Sequence, residues 1–408
     1  MTAGRHTHRE AERAESFGEA LLGGFLDRAH ELHPDQVGPL VAATVVRLGG
    51  RDTQLLLQDY GQRTLIPHPG GGLANGAPLP IERSEAGRCF LTSRPVEVAL
   101  PDGVRVYLPL LDGGATAGVL ALTLDRVTDD DRRVLRRLAA LVAGLVRTKD
   151  GYTDQFFRTR RSEPMSVAAE IQWALLPPLA MTMPQVAVAG VLEPAYDVAG
   201  DSFDYTLNGP FLHLAMIDAM GHGLDAATMA TVAIGAYRHA RRTSVELEKI
   251  YRFMDEAIAE QFAPDHFVTA QMMQLDTDTG RLQWVNAGHP APLLIRDHHV
   301  IGRLEGPTTL PVGFGGAQPE VNERGLEPGD RILCFSDGLV EEHANGQKEF
   351  GEEQLITWIH RLDRAERGVR EVARDLSHTL MQARDDTTTD DATLVLLEWR
   401  GPALDGEK

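Results

Sequence analysis

The segment AMIDAMGHG (215–223) ends an apolar run on a carboxylate, Asp218, and passes through Ala219 into a glycine-flanked turn. Residues 211–218 read as a mostly apolar strand that delivers this acid at its end. The same device recurs on either side. Asp201 follows a strand in VAGD (198–201), Asp337 ends another in ILCFSDG (332–338), and Asp390 opens the last in TTTDDATLVLL (387–397). One such acid is an ordinary turn residue. Several delivered by apolar strands, beside small residues that permit close approach, are costly unless cations neutralise them. Oxygen ligands without paired His or Cys point to Mg²⁺ or Mn²⁺ rather than zinc.

Around these acids, strands are expected at 186–192, 211–218, 268–275, 281–286, 293–295, 331–335 and 393–399. Helices are expected at 225–241, 245–261, 352–362 and 367–382. The elements come in groups instead of strict alternation, which suits sheets covered by helix pairs. The fold class is therefore α+β.

The N-terminal part is organised differently. Residues 1–14 are polar and read as a disordered tail. Residues 15–127 mix helical patterns with short strands around a Gly/Pro-rich loop at 67–80, which makes a smaller α+β domain. His68 in that loop is expected to be exposed. At 128–131 TDDD is a helix start, a capping residue followed by acids. Behind it Leu135, Leu138, Val142 and Leu145 recur at heptad spacing, and Tyr152 and Phe156 extend the stripe. Two outcomes fit: a coiled coil that makes a homodimer, or a helix packed on its own domain. A second helix at 167–176 ends at Pro177–Pro178, so 128–180 reads as a helical connector to a domain at 181–402.

Composition removes several function classes. The 59 acidic residues against 40 Lys plus Arg, a formal charge of -19, argue against nucleic acid as a partner. Two cysteines, Cys89 and Cys334, both in apolar surroundings, leave no disulfide framework and no cysteine-rich zinc site. The best apolar stretch, Leu138–Val146, is far short of the ~20 residues a membrane span needs. A soluble, cytoplasmic protein is expected.

Two resemblances emerge. EAGRCFLTSRPVEV (85–98), VYLPL (106–110) and GVLALTL (118–124) resemble the second half of a GAF domain, which implies a sensory module able to hold a small ligand. The four acid segments, with IQWALLPP (171–178), FVTAQMMQLDTDTGRLQWVNAGHPAPLLI (267–295), TTLPVGF (308–314) and FSDGLVEEHANGQKEFG (335–351), resemble the SpoIIE/RsbU-like branch of the PP2C-type phosphatases over about 165–400.

That likeness implies a PP2C-like αββα sandwich and a metal-dependent serine/threonine phosphatase. Its substrate would be a phosphorylated protein, typically an anti-sigma-factor antagonist. Two ions, Mn²⁺ or Mg²⁺, are implied: Asp218 would touch both, the Ala219 carbonyl would be the backbone ligand, Asp201 would bind the second metal, and Asp337 and Asp390 the first. Ala199 stands where the family more often has Gly. His222, Asp391 and His289 occupy neighbouring positions without an assigned chemical role. The contrasting reading is a signalling scaffold that keeps the fold but works by binding partners or a ligand through 15–127.

Overall fold

The computed structural model describes residues 17–112, 114–193, 195–196, 200–243, 246–316, 318–339, 352–362, 367–383 and 392–403. The polar tail at 1–14 lies outside them. Among the described residues no helix is long and apolar enough to cross a membrane.

The front module is a six-stranded antiparallel sheet. Its strands are β1 (Arg51–Gln58), β2 (Thr64–Pro67), β3 (Leu79–Pro80), β4 (Val96–Leu100), β5 (Gly103–Asp112) and β6 (Ala115–Leu124), in the order β3-β2-β1-β6-β5-β4. Successive side chains on a strand point to opposite faces, and the sheet is apolar on both. Leu55, Leu57, Leu108 and Leu120 pack under helices α1 (Phe17–Ala29), α2 (Val37–Arg47) and α4 (Asp129–Asp150). Leu56, Leu65 and Val119 instead meet Cys89 and Phe90 of α3 (Glu85–Thr92). Both cysteines are buried free thiols, as their apolar surroundings suggested.

Helix α4 starts where the capping signal placed it. Thr128 Oγ1 accepts from the Asp131 N–H at 3.2 Å, and the Asp131 carboxylate accepts from the Thr128 N–H at 2.9 Å. The heptad stripe behind it does not form a seam for a second copy. Leu135, Leu138, Val142 and Leu145 are between 0% and 8% exposed and belong to the front module's own core. Burying them there removes the apolar face that a partner helix would need, so the dimerising coiled coil is replaced by packing on the chain's own sheet. His68 is likewise inside: its Nδ1 lies 2.7 Å from Thr159 Oγ1, and burial pushes its pKa down to about 4.

The C-terminal part is the expected αββα sandwich. One sheet holds β9 (Asp201–Asn208), β10 (Phe211–Ala219), β11 (Val268–Asp276), β12 (Arg281–Ala287) and β15 (Asn322–Gly325), in the order β15-β12-β11-β10-β9. The other holds β7 (Ala180–Thr182), β8 (Val186–Glu193), β13 (Leu293–Arg296), β14 (His299–Arg303), β16 (Arg331–Phe335) and β17 (Ala392–Trp399), in the order β14-β13-β16-β17-β8-β7. Phe203, Leu214 and Met216 meet Val188, Cys334 and Val395 between the sheets.

The alternate residues face outward onto helices. Ala215 and Ile217 pack on α7 (Gly223–Thr243) and α8 (Leu247–Gln261). Leu333, Phe335 and Leu394 pack on α9 (Glu352–Leu362) and α10 (Val369–Ala383). One polar tie crosses the first outer layer. Buried Asp204 of β9 accepts from Arg238 at 2.7 Å and also from Arg241, fixing α7 to the sheet edge.

Candidate metal centre

Asp201 and Asp218 are directly opposite each other in the antiparallel β9–β10 ladder. Opposed residues share a face, with Cβ atoms about 4.5–5.5 Å apart. Strand alternation puts both on the face of Phe203, Leu214 and Met216, so both acids stand at one end of the space between the sheets. Asp201 is 2% exposed and Asp218 is half-buried. Like charges held face to face in a ladder are destabilising, which a cation would reverse.

The backbone brings a third oxygen beside the pair. The Ala219 N–H donates to the Gly200 carbonyl at 3.2 Å. A Cβ on Gly200 would stand 2.2 Å from the Ala219 carbonyl oxygen. Only glycine leaves that oxygen clear beside the two carboxylates. Two carboxylates and a carbonyl, all hard oxygen donors, fit Mg²⁺ or Mn²⁺.

The second sheet brings Asp337 toward this end. β16 stops at Phe335, paired with Leu394, and β8 stops at Glu193, paired with Ala392. Residues 194–200 join β8 to Asp201, so the ends of β8 and β16 and the start of β17 share the end occupied by Asp201 and Asp218. Asp337 opens a short 3-10 turn, Asp337–Leu339, directly after β16. That turn is tied to β17 by the Ser336 N–H donating to the Thr393 carbonyl at 3.0 Å and the Thr393 N–H donating to Ser336 Oγ at 2.9 Å. Asp390, Asp391 and Ala199 lie outside the described residues. Among the described residues no three His, Cys, Asp or Glu side chains come together as a metal-binding group.

His289 braces the site from β12's end. Its Nδ1 is 2.8 Å from the hydroxyl of Thr269, the residue opposite Asp218 on β11. Asn286 holds the His289 backbone from both sides, accepting its N–H at 2.9 Å and donating to its carbonyl at 2.8 Å. Burial pushes His289 down to about 4, against a smaller opposing pull from the Phe335 backbone, so its ring is neutral at pH 7. His222 is exposed in the turn before α7.

Residue-by-residue reading missed Gln172. Helix α6 (Val167–Leu175) is capped by Ser166, whose Oγ accepts from the Ala169 N–H at 3.1 Å. Gln172, fully buried on it, donates its amide to the Asp201 carbonyl. Next to it, Trp173 Nε1 donates to the Ala195 carbonyl at 2.7 Å, and the indole lies 4.8 Å from the Tyr60 ring of the front module. One helix thus touches both the front module and the backbone of a candidate ligand. The signal available in IQWALLPP was a lone amide on an otherwise apolar helix face.

The family Stage II sporulation protein E (SpoIIE) matches residues 210–400. The phosphoserine phosphatase RsbU of Bacillus subtilis is 22% identical over 236 residues, 57% of this chain and 69% of that protein. The phosphoserine phosphatase RsbP of the same organism is 23% identical over 198 residues, 47% of this chain and 48% of that protein, so the chain spans about half the length of this relative. Among solved structures, the SiaA-PP2C domain of Pseudomonas aeruginosa is 21% identical, with a TM-score of 0.48 over 57% of this chain and 94% of that one. Over residues 210–400 the chain is therefore similar to the Stage II sporulation protein E family, and its relatives in sequence are named phosphoserine phosphatases.

Proposed function

We propose that the chain is a metal-dependent serine/threonine phosphatase that acts in the cytoplasm on a phosphorylated protein, an anti-sigma-factor antagonist being the substrate class that the resemblance of its motifs implies. The observation that carries this reading is the Asp201–Asp218 pair, opposed across one ladder at the inner edge of the sandwich, with the Ala219 carbonyl kept clear beside it. Asp218 would lie between two ions, Asp201 and the Ala219 carbonyl would complete one side, and Asp337 and Asp390 would hold the other. Two such ions, when bound, make a water acidic enough to yield hydroxide near neutral pH and offset phosphoryl charge. The protein's own part is to set donor positions in advance. The two ladder acids are fixed by main-chain pairing, His289 holds Thr269, and Gln172 holds the Asp201 backbone.

The front module is proposed as a GAF-like sensor whose state reaches the site through α6, since Trp173 meets Tyr60 while Gln172 meets Asp201. The test of the enzymatic reading is hydrolysis of p-nitrophenyl phosphate by the full chain with Mn²⁺, Mg²⁺ or chelator, together with Mn²⁺ titration calorimetry. Asp218→Asn and Asp337→Asn should each lower the rate by about 100-fold or more and weaken Mn²⁺ binding. Rates and heats equal to those of the unsubstituted protein would end this assignment.

A further inference from the structure

The ladder that sets Asp218 opposite Thr269 continues for one more row. The Met220 N–H donates to the Phe267 carbonyl at 3.2 Å, just beyond β10 and β11. Strand alternation returns to the same face every second residue. Met220 and Phe267 therefore stand on the face of Asp218, one row further out, at the rim of the candidate metal centre. Both are apolar and reach solvent: Met220 is 38% exposed and Phe267 is half-buried. The ring of Phe314, 48% exposed, stacks on Phe267 with centroids 5.6 Å apart. Leu224 at the start of α7 and Leu310 in the loop that carries Phe314 are exposed as well.

The fold holds Phe314 in this position. The loop at 308–316 is tied to β11 by two reciprocal bonds, the Val268 N–H donating to the Val312 carbonyl at 2.9 Å and the Val312 N–H to the Val268 carbonyl at 2.8 Å. On either side of Phe314, the N–H groups of Gly313 and Gly315 donate to one carboxylate oxygen of Asp255, at 2.8 and 3.0 Å. Asp255 lies on α8 and is buried, and bonds to a charged acceptor are the stronger kind. Gly313, at a φ of +119°, has no room for a side chain: a Cβ would stand 2.7 Å from Ile258 and 2.8 Å from the His266 carbonyl oxygen. The Tyr251 hydroxyl, also on α8, donates to the Leu310 carbonyl at 2.9 Å. Helix α8 thus clamps the loop in a shape that leaves the Phe314 ring outside.

Single exposed apolar side chains are ordinary. Phe17 on α1, Val46 on α2 and Tyr152 ahead of the short helix α5 (Gln155–Arg160) are of that kind, scattered over the front module and its helices. A contiguous apolar patch instead marks a contact surface, and aromatic residues and methionine are enriched in such surfaces. A phosphoprotein that is dephosphorylated at Asp201 and Asp218 must bring the residues beside its phosphate against whatever rims those acids, so the place of the patch identifies its occupant. We propose that Met220, Phe267 and Phe314 form the docking lip for the phosphoprotein substrate, and that the lip selects a phosphoserine whose immediate sequence neighbours are apolar. This rests on the phosphatase reading and adds to it a source of specificity beyond the phosphate itself.

The test uses the full chain with Mn²⁺ and two phosphoserine pentapeptides, one with leucine on both sides of the phosphoserine and one with serine in those places. The leucine peptide should have the higher kcat/KM by about tenfold or more, the scale for partly burying two such side chains. The difference should lie in KM, as for contacts made equally in the bound substrate and the transition state. Phe314→Ser should shrink the preference to about threefold or less, and Phe314→Leu should restore most of it. Equal kcat/KM for the two peptides, or no turnover of the leucine peptide, overturns the lip without recourse to any variant, and a preference unmoved by Phe314→Ser overturns it too. If p-nitrophenyl phosphate is hydrolysed while the peptides are not distinguished, the lip alone is refuted. If none of the three phosphoesters is hydrolysed under any metal condition, the phosphatase reading is refuted and the lip falls with it.

Discussion

Replacing Gln172 with Met should damage metal binding far more than stability, and the structure says why. The Gln172 amide makes one bond, to the Asp201 carbonyl, while its Oε1 has no hydrogen-bond partner among the described residues. Methionine has similar volume and fills the same buried space. It deprives the Asp201 carbonyl of its donor, a loss of about 1–3 kcal/mol. It also removes an amide oxygen that was itself costly to bury, which returns part of that. The net should be about 1 kcal/mol, or about 2–4 °C in Tm for a domain of this size. Metal affinity depends on how firmly the ligand backbone is held, and loss of such a brace typically costs about 10–100-fold. Differential scanning calorimetry gives the first quantity, and the Mn²⁺ concentration for half-maximal hydrolysis, backed by Mn²⁺ titration, gives the second. A fall in Tm with an unchanged Mn²⁺ midpoint would refute the positioning role and leave Gln172 as a packing residue.

Asp204→Ala should remove about 3–5 kcal/mol of stability, because it strands the nearly buried Arg241 beside Arg238; a thermal melt within a degree of the parent would contradict it. Gly200→Ala places a methyl 2.2 Å from the Ala219 carbonyl oxygen, so β9 and β10 must part. About 1–3 kcal/mol of stability and most Mn²⁺ affinity should go, and a variant binding Mn²⁺ as the parent does would show the carbonyl to be uninvolved. Glu193, beside Arg63 and Arg374, is raised by burial to about 7. An acid raised on folding stabilises fully below its ordinary value of 4.5 and loses that contribution as pH rises through 7. Glu193→Gln should therefore match the parent at pH 5 and out-melt it at pH 8, and parallel pH profiles would exclude this origin. His68, His213 and His289, each lowered by burial to about 4, act in the opposite sense. Their contribution is present above pH 6.5 and lost as pH falls toward 4, so each His→Gln variant should flatten the acid limb of Tm against pH.

What could be read from the residues was what local pattern determines. An apolar run that stops on an acid is visible in one dimension, and Asp218 and Asp337 lie where such runs end. Asp201 was expected to follow a strand, as it follows β8, but it also opens β9, a strand the sequence reading did not place. The polar stretch after it hides a strand, since Asp204 looks like a breaker until Arg238 and Arg241 arrive from a helix more than thirty residues away. The heptad stripe had two outcomes with one spacing, and only the sheet under α4 separates them. His68 looked exposed because its partner, Thr159, is 91 positions distant. Gln172 was hidden for the same reason: a single amide reveals its purpose only when the carbonyl it serves is known.

The last strand of the sandwich in chain order, β17, is an inner one, flanked by β16 and β8. A ribosome must therefore finish residues 392–399 before the second sheet can close. Until then β8 and β16 each present a bare edge, the kind of surface that recruits foreign strands and clumps. Premature termination anywhere upstream would yield a product with a split sheet, without the Asp390 segment and prone to clearance. Only a chain translated through this strand can assemble the complete sandwich.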